Sequence, residues 1–169
     1  MSATELLTAS GAPAAEPQTV DIRTFRTTVR VPAASTGGAL SVLEHTLPAG
    51  YVAMPVHTHA RETEVTHVLE GTLTVQVGDG VTRAGPGDLV VKPAGVRHAF
   101  WNEGLRPVRF LEIVTPGGIE EFYAEVARAI GAKGKPDMGK VMAAAERHGL
   151  RFEMGSLMDL LDRYGVRLS

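Results

Sequence analysis

The chain has 169 residues, with 17 lysines and arginines against 19 aspartates and glutamates, and no cysteine. That length suits one domain with an appendage, large enough to bury a core without covalent staples. A formal net charge of −2 offers no basic field to nucleic acid or an anionic membrane, and the lack of cysteine excludes disulfides and restricts any transition-metal site to His, Asp and Glu donors.

Residues 1–20 are rich in Ala, Thr, Ser and Pro and lack the basic start and apolar run of a secretion signal, so they are expected to form a disordered lead. No apolar run reaches the length of a membrane span, and the cytoplasm is the expected location. A barrel domain is expected over residues 21–116, where the texture is β throughout. In "FRTTVRV" Phe25, Thr27, Val29 and Val31 share a face. This strand is expected to extend a sheet edge or cross to a partner, because an unpaired edge is a liability. "ALSVLEHTL" is a second strand, and "TLTVQV" puts Leu73, Val75 and Val77 on one face before the tight turn in "VGDGV". "DLVVK", "HAFWN" and "VRFLEIV" follow, each bounded by Gly, Pro or Asn. About nine short strands with glycine turns and no helix-length segment between them predict an all-β sandwich or barrel and disfavour a parallel α/β sheet.

The texture changes at "TPGG", and residues 117–169 read as a helical tail that packs on the barrel. "IEEFYAEVARAI" carries an apolar stripe of Ile119, Phe122, Tyr123, Val126 and Ile130. Two later segments, "KVMAAAERHGLRF" and "SLMDLLDRYGVRL", resemble each other at an offset of 16: Met142 aligns with Met158, Arg147 with Arg163, Gly149 with Gly165 and Arg151 with Arg167. A basic last turn and a glycine cap arising twice explain the likeness. A duplicated capping element is a second explanation, and a DNA-reading helix pair a third. The tail's eight Lys/Arg and eight Asp/Glu argue against the third. The tail is expected to cover the barrel without being needed to hold the site residues in place.

The chemistry concentrates in "HTHARETEVTHVLEG", residues 57–71. It is either a polar, histidine-rich loop or half of a metal site. Side chains alternate along a strand, so His57 and His59 point the same way and can both reach one metal ion. Glu64 has the wrong parity for one continuous strand, so "ARET" must contain a turn. Once Glu64 points inward, His67 points outward and reads as a packing or surface histidine. Glu62 is the rival carboxylate and reads as turn decoration. A second segment, "GPGDLVVKPAGVRHAFWN", swings His98 onto a new strand through the "PAG" turn.

These two segments resemble the paired signature motifs of the cupin superfamily. The first motif runs from Gly50 through His57, His59 and Glu64 to Gly71, with one residue more between Gly50 and His57 than the family pattern has; the second runs from Gly87 through Pro93, Gly95 and His98 to Asn102. The resemblance covers residues 40–115. It implies a double-stranded β-helix (a jelly-roll, or cupin barrel) and a metal site whose ligands are His57, His59, Glu64 and His98. The cofactor implied is one divalent transition metal ion: Fe, Mn, Ni, Cu, Co or Zn. Four protein ligands would leave positions open for water, dioxygen or substrate. His45 and Glu112 are further candidates to line the pocket, which parity alone leaves open. Phe100, Trp101 and Phe110 suggest an apolar surround, which favours a planar or aromatic oxygen donor.

A single barrel followed by "TPGGIEEFY" and short helices also resembles bacterial quercetin 2,3-dioxygenase-like single-barrel cupins. That implies a metal-dependent oxidoreductase, a dioxygenase acting on a small enol or phenolic compound, with Glu64 as both ligand and general base. A non-redox metal-dependent isomerase and a small-ligand-binding cupin without turnover are the alternatives. Expected partners are a small-molecule substrate and a second copy in a homodimer, with no nucleic acid and no membrane.

Overall fold

Strand periodicity dominates the first two thirds of the computed structural model, which describes residues 18–22, 24–130 and 136–169. Eleven strands precede the first α-helix among them: β1 (Thr19–Ile22), β2 (Phe25–Val31), β3 (Ser41–Leu47), β4 (Tyr51–Val52), β5 (His57–His59), β6 (Thr63–Glu70), β7 (Leu73–Val77), β8 (Gly80–Ala84), β9 (Leu89–Lys92), β10 (His98–Asn102) and β11 (Val108–Thr115). The tail adds α1 (Ile119–Ile130), α2 (Met138–Arg147), β12 (Leu150–Phe152), α3 (Ser156–Tyr164) and β13 (Arg167–Leu168). None of the described helices is long and apolar enough to cross a membrane.

The strands form the two sheets of a jelly-roll barrel. One has the order β1-β2-β3-β11-β6-β9, antiparallel throughout. In the other, β10 pairs with β7 on one side and with β5 and β4 on the other, and β8 extends the sheet beyond β7. Alternation decides what enters the barrel: Leu43, His45 and Leu47 from β3, Glu64, Thr66 and Val68 from β6, and Phe110, Glu112 and Val114 from β11 are all buried. Phe25, Leu43, Leu47, Val68, Leu73 and Phe110 are at most 1% exposed. Each such side chain stabilises the fold by about 1.5–3 kcal/mol.

Gly71, which ends the first motif, shows why the turns need glycine. It sits at φ 82°, and a Cβ there would lie 2.9 Å from the Pro107 carbonyl oxygen. A larger residue would meet both a backbone clash and a disfavoured conformation.

Four expectations change. The expected lead of residues 1–20 falls mostly outside the described residues, but Thr19 and Val20 already belong to β1, with Val20 buried. "FRTTVRV" is not an edge, because β2 pairs with β3 on one side and β1 on the other. Trp101 does not face the metal side. On β10 the inward set is His98, Phe100 and Asn102, whereas Ala99 and Trp101 pack with Val52, Val56, Leu160 and Val166 under α3. Trp101 meets the Tyr164 ring at 4.5 Å.

The fourth change concerns the tail. Its two similar segments are each a helix, a left-handed glycine (Gly149 at φ 72°, Gly165 at φ 64°) and a short strand. β12 lies antiparallel to β5, and β13 lies parallel to β4. The recurrence therefore reflects two docking units that cover the open edge of β4 and β5, where bare N–H and C=O groups would otherwise invite foreign strands. The strand bearing His57 and His59 has a tail strand as its outer partner, with Leu150 opposite His59 and Phe152 opposite His57. The tail is thus part of what holds the site residues, contrary to the sequence expectation.

Truncation after Pro116 should leave that edge bare and uncover Trp101, costing more than about 5 kcal/mol by the burial of several core side chains. The shortened protein is expected to aggregate or to melt far below the full chain, as measured by size-exclusion chromatography and circular dichroism. The milder Leu160→Ala should destabilise by about 2–5 kcal/mol in urea unfolding.

Candidate metal centre

The site begins with period two. On β5, His57 and His59 are buried and Thr58 between them is partly exposed, so both imidazoles enter the barrel. His98 opens β10 directly opposite His57. The turn before it is tied to the first motif: Gly95, at φ 76°, donates its N–H to the His59 carbonyl at 2.8 Å. The three rings consequently cluster, with centroids 4.4 Å apart for His57–His98, 5.2 Å for His57–His59 and 5.3 Å for His59–His98.

The outer ring nitrogens orient this cluster. His57 Nδ1 lies 3.0 Å from the Pro55 carbonyl and His98 Nδ1 lies 3.0 Å from the Val96 carbonyl. A carbonyl only accepts, so each Nδ1 carries the proton and each Nε2 keeps its lone pair. His59 Nδ1 faces Glu62 Oε2 at 3.6 Å. One donor atom from each histidine falls within 4.8 Å of the other two. His59 Nε2 and His98 Nε2 are buried without a hydrogen-bond partner. Burial depresses the basicity of His57, aided by His98 and His59, and burial likewise depresses that of His98. Three converging imidazoles, two of them with an orphaned Nε2, are a donor set that binds a divalent transition metal, so these residues fit one.

Glu64 is placed inward, as its parity requires, but its partners are more numerous than expected. Oε1 lies 3.4 Å from His59 Nε2, and Oε2 lies 3.3 Å from His98 Nε2 and 2.7 Å from Lys92 Nζ. Burial alone would raise its pKa, but Lys92, His98 and His59 together hold it well below the usual carboxylate range. Lys92, fully buried, also pairs with Glu112 Oε2 at 2.5 Å, and Thr66 donates to Glu112 Oε1. Glu112 is pushed up to about 7 by burial, against the pull of Lys92. Despite its own burial, Lys92 is raised in pKa by Glu112 and Glu64 and stays an ammonium.

Of the other candidates, His67 is only partly buried and lies on the face of β6 opposite Glu64, as alternation predicts. His45 faces the interior as a core residue: it bonds Thr27 Oγ1 through Nδ1 at 2.9 Å and stacks on Phe25, and burial followed by Lys92 lowers its pKa to about 3. Glu62, read from sequence as turn decoration, is instead buried against His59. Lys92 was missed altogether. Its inward parity in "DLVVK" was readable, but its place opposite Glu64 follows from the β6–β9 register. An apolar cavity of about 120 Å³ lies between barrel and tail. Its walls include Phe25, Met54, Phe122 and Phe152, and Phe152 also packs on His57 with ring centroids 5.9 Å apart.

Residues 43–114 match the Cupin_2 family, described as a cupin domain. Germin-like protein 4-1 of Oryza sativa subsp. japonica is 36% identical over 104 residues, which span 54% of this chain but only 39% of that protein. Among solved structures, KdgF from Halomonas sp. superposes with a TM-score of 0.52 at 20% identity, covering 63% of this chain and 90% of that one. The oxalate decarboxylase of Lactobacillus farciminis, solved as a formate complex, gives 0.53 at 17%, covering 60% of this chain and 32% of that one. At such identities the two structural likenesses concern the fold.

His57→Ala, His59→Ala and His98→Ala should each remove most bound metal, whereas His67→Ala should leave metal content unchanged, both read by elemental analysis of purified protein. Glu62→Gln should weaken metal affinity by about 10–100-fold, the usual effect of removing a group that orients a ligating histidine, as measured by chelator competition.

Proposed function

Because residues 43–114 are a cupin domain and the barrel brings three histidines together, we propose that the protein is a metal-dependent dioxygenase acting on a small enol or phenolic compound. The observation that carries this reading is the convergence of His57, His59 and His98, with Nε2 of His59 and of His98 buried without a hydrogen-bond partner. These three residues would hold the metal, with Glu64 beside them as the fourth donor. A divalent ion there supplies Lewis-acid polarisation of a bound oxygen and, where it is redox-active, dioxygen chemistry.

The protein's own groups do the rest. Phe25, Phe100, Phe110 and Tyr123 pack together in the interior, with the Phe100 ring centroid 5.2 Å from the Lys92 Nζ that pairs with Glu64. They favour a flat, apolar substrate body and exclude water, which strengthens electrostatic interactions inside. Glu64, whose Oε2 lies beside Lys92, would be the carboxylate that receives a hydroxyl proton from an enol or phenol at Oε1.

Oxygen uptake by the metal-loaded protein should rise on adding a flavonol or an enediol, and Glu64→Gln should lower that rate by at least about tenfold, as removal of a general base does. Absence of uptake with iron, manganese, nickel, copper and cobalt forms alike would transfer the site to a non-redox isomerase or to ligand binding.

We further propose that the protein works as a homodimer. The outer face of the six-stranded sheet presents Val42, Ile113, Val65 and Val91 side by side across β3, β11, β6 and β9. Val91 and its neighbour Leu89 are 54% and 63% exposed. Such a face suits a self-complementary contact. Light scattering at micromolar concentration should give about twice the 17.9 kDa chain mass, and Val91→Glu should return the monomer.

A further inference from the structure

Lys92 is a fully buried cation with no part in the site as inferred from the motifs. It lies directly opposite Glu64 in the β6–β9 register, and Thr66 lies directly opposite Glu112 in the β6–β11 register. All four side chains point inward from three adjacent strands, and their contacts form a chain that starts and ends on β6: Glu64, Lys92, Glu112, Thr66. The Phe100 ring closes this chain of contacts from the neighbouring sheet, with Lys92 Nζ 5.2 Å from its centroid. A buried ammonium held by two carboxylates is not free to move away. It lies 2.7 Å from Oε2 of Glu64, closer than the 3.3 Å from that oxygen to His98 Nε2, and leaves Oε1 facing His59 Nε2.

We propose that Lys92, anchored by Glu112, is a positioning residue that competes with the metal for Glu64, making Glu64 a one-oxygen, displaceable fourth donor on a three-histidine site. The inference rests on the metal site proposed above. Its physical basis is simple. A carboxylate shared with an ammonium gives a cation less than a free carboxylate does, and the ammonium repels a divalent ion placed close by. A weakly committed Glu64 can leave the metal and free a coordination position, which a tightly chelating carboxylate cannot. Glu112 matters because it draws Lys92 away from Glu64.

The test is metal affinity of the full-length protein, using Co²⁺ alone and competition with a chromophoric chelator. Lys92→Met should bind Co²⁺ at least tenfold more tightly than wild type, and its visible Co²⁺ spectrum should weaken as coordination number rises. Glu112→Gln should bind Co²⁺ several-fold more weakly, because the whole charge of Lys92 then falls on Glu64. In a Glu64→Gln background both effects should shrink to within about threefold, since distant or independent changes add and coupled ones do not. A merely structural Lys92 would alter melting temperature in these variants without moving affinity in opposite directions, and that result would overturn the proposal, as would effects that persist without Glu64. Should Lys92→Met fail to fold, the Glu112→Gln pair decides in the same way. A wild type that binds no Co²⁺, or binds it no better than His59→Ala, would instead remove the metal site itself and this proposal with it.

Discussion

Burial of polar donors inside an apolar barrel is the constraint on which the structure turns. A buried imidazole without a partner costs stability. Here the cost is contained for His57 and His98 by fixing one nitrogen of the ring and leaving the other to converge. Backbone carbonyls two residues upstream hold His57 and His98, and a carboxylate three residues downstream faces His59. The cross-strand pairing of His57 with His98 then fixes the distance between the two motifs. The second sheet, the Gly95 turn and the tail strand β12 all maintain that pairing.

The tail takes part in this arrangement. β12 and β13 supply the outer hydrogen-bonding partners of β5 and β4, while α3 covers Trp101 on the outside of β10. β10 is therefore buried on both faces: one carries the metal-site histidine and the other a hydrophobic cluster. A strand pinned from both sides holds its side chains more rigidly than one facing water, and a metal site needs ligands held to a fraction of an ångström. Stability and site geometry are thus coupled through one five-residue strand.

Charge is arranged with similar economy. Besides Glu62, the inward-facing charges close to the histidines are Glu64, Lys92 and Glu112, and these three sit on strands that are immediate neighbours. Lys92 can be buried because two carboxylates flank it, and those carboxylates can be buried because Lys92 lies between them. Near neutral pH, with Glu112 pushed up to about 7 by burial, these three groups together carry between zero and one negative charge, and Glu62 adds a carboxylate beside His59. That residual charge suits a site that accepts a divalent cation.

The spacing of histidines, glycines and prolines determined a great deal from sequence alone. Alternation in "HTH" placed His57 and His59 on one face, parity separated Glu64 from His67, and the glycine turns marked out the strands of a barrel. These features are local, because a period of two and a required positive φ are properties of a few consecutive residues. Tertiary structure decided what depends on partners far apart in the chain. Trp101 lies outside because α3 covers that face, although its parity relative to His98 already pointed there. Glu62 is buried beside His59 because a turn folds it back onto that ring. Lys92 meets Glu64 because β9 runs beside β6 in one particular register, and the tail shares in holding the ligands because Leu150–Phe152 pair with His57–His59. Strand register and edge pairing are set by the packing of the whole barrel, and no short stretch of sequence contains both members of such a pair.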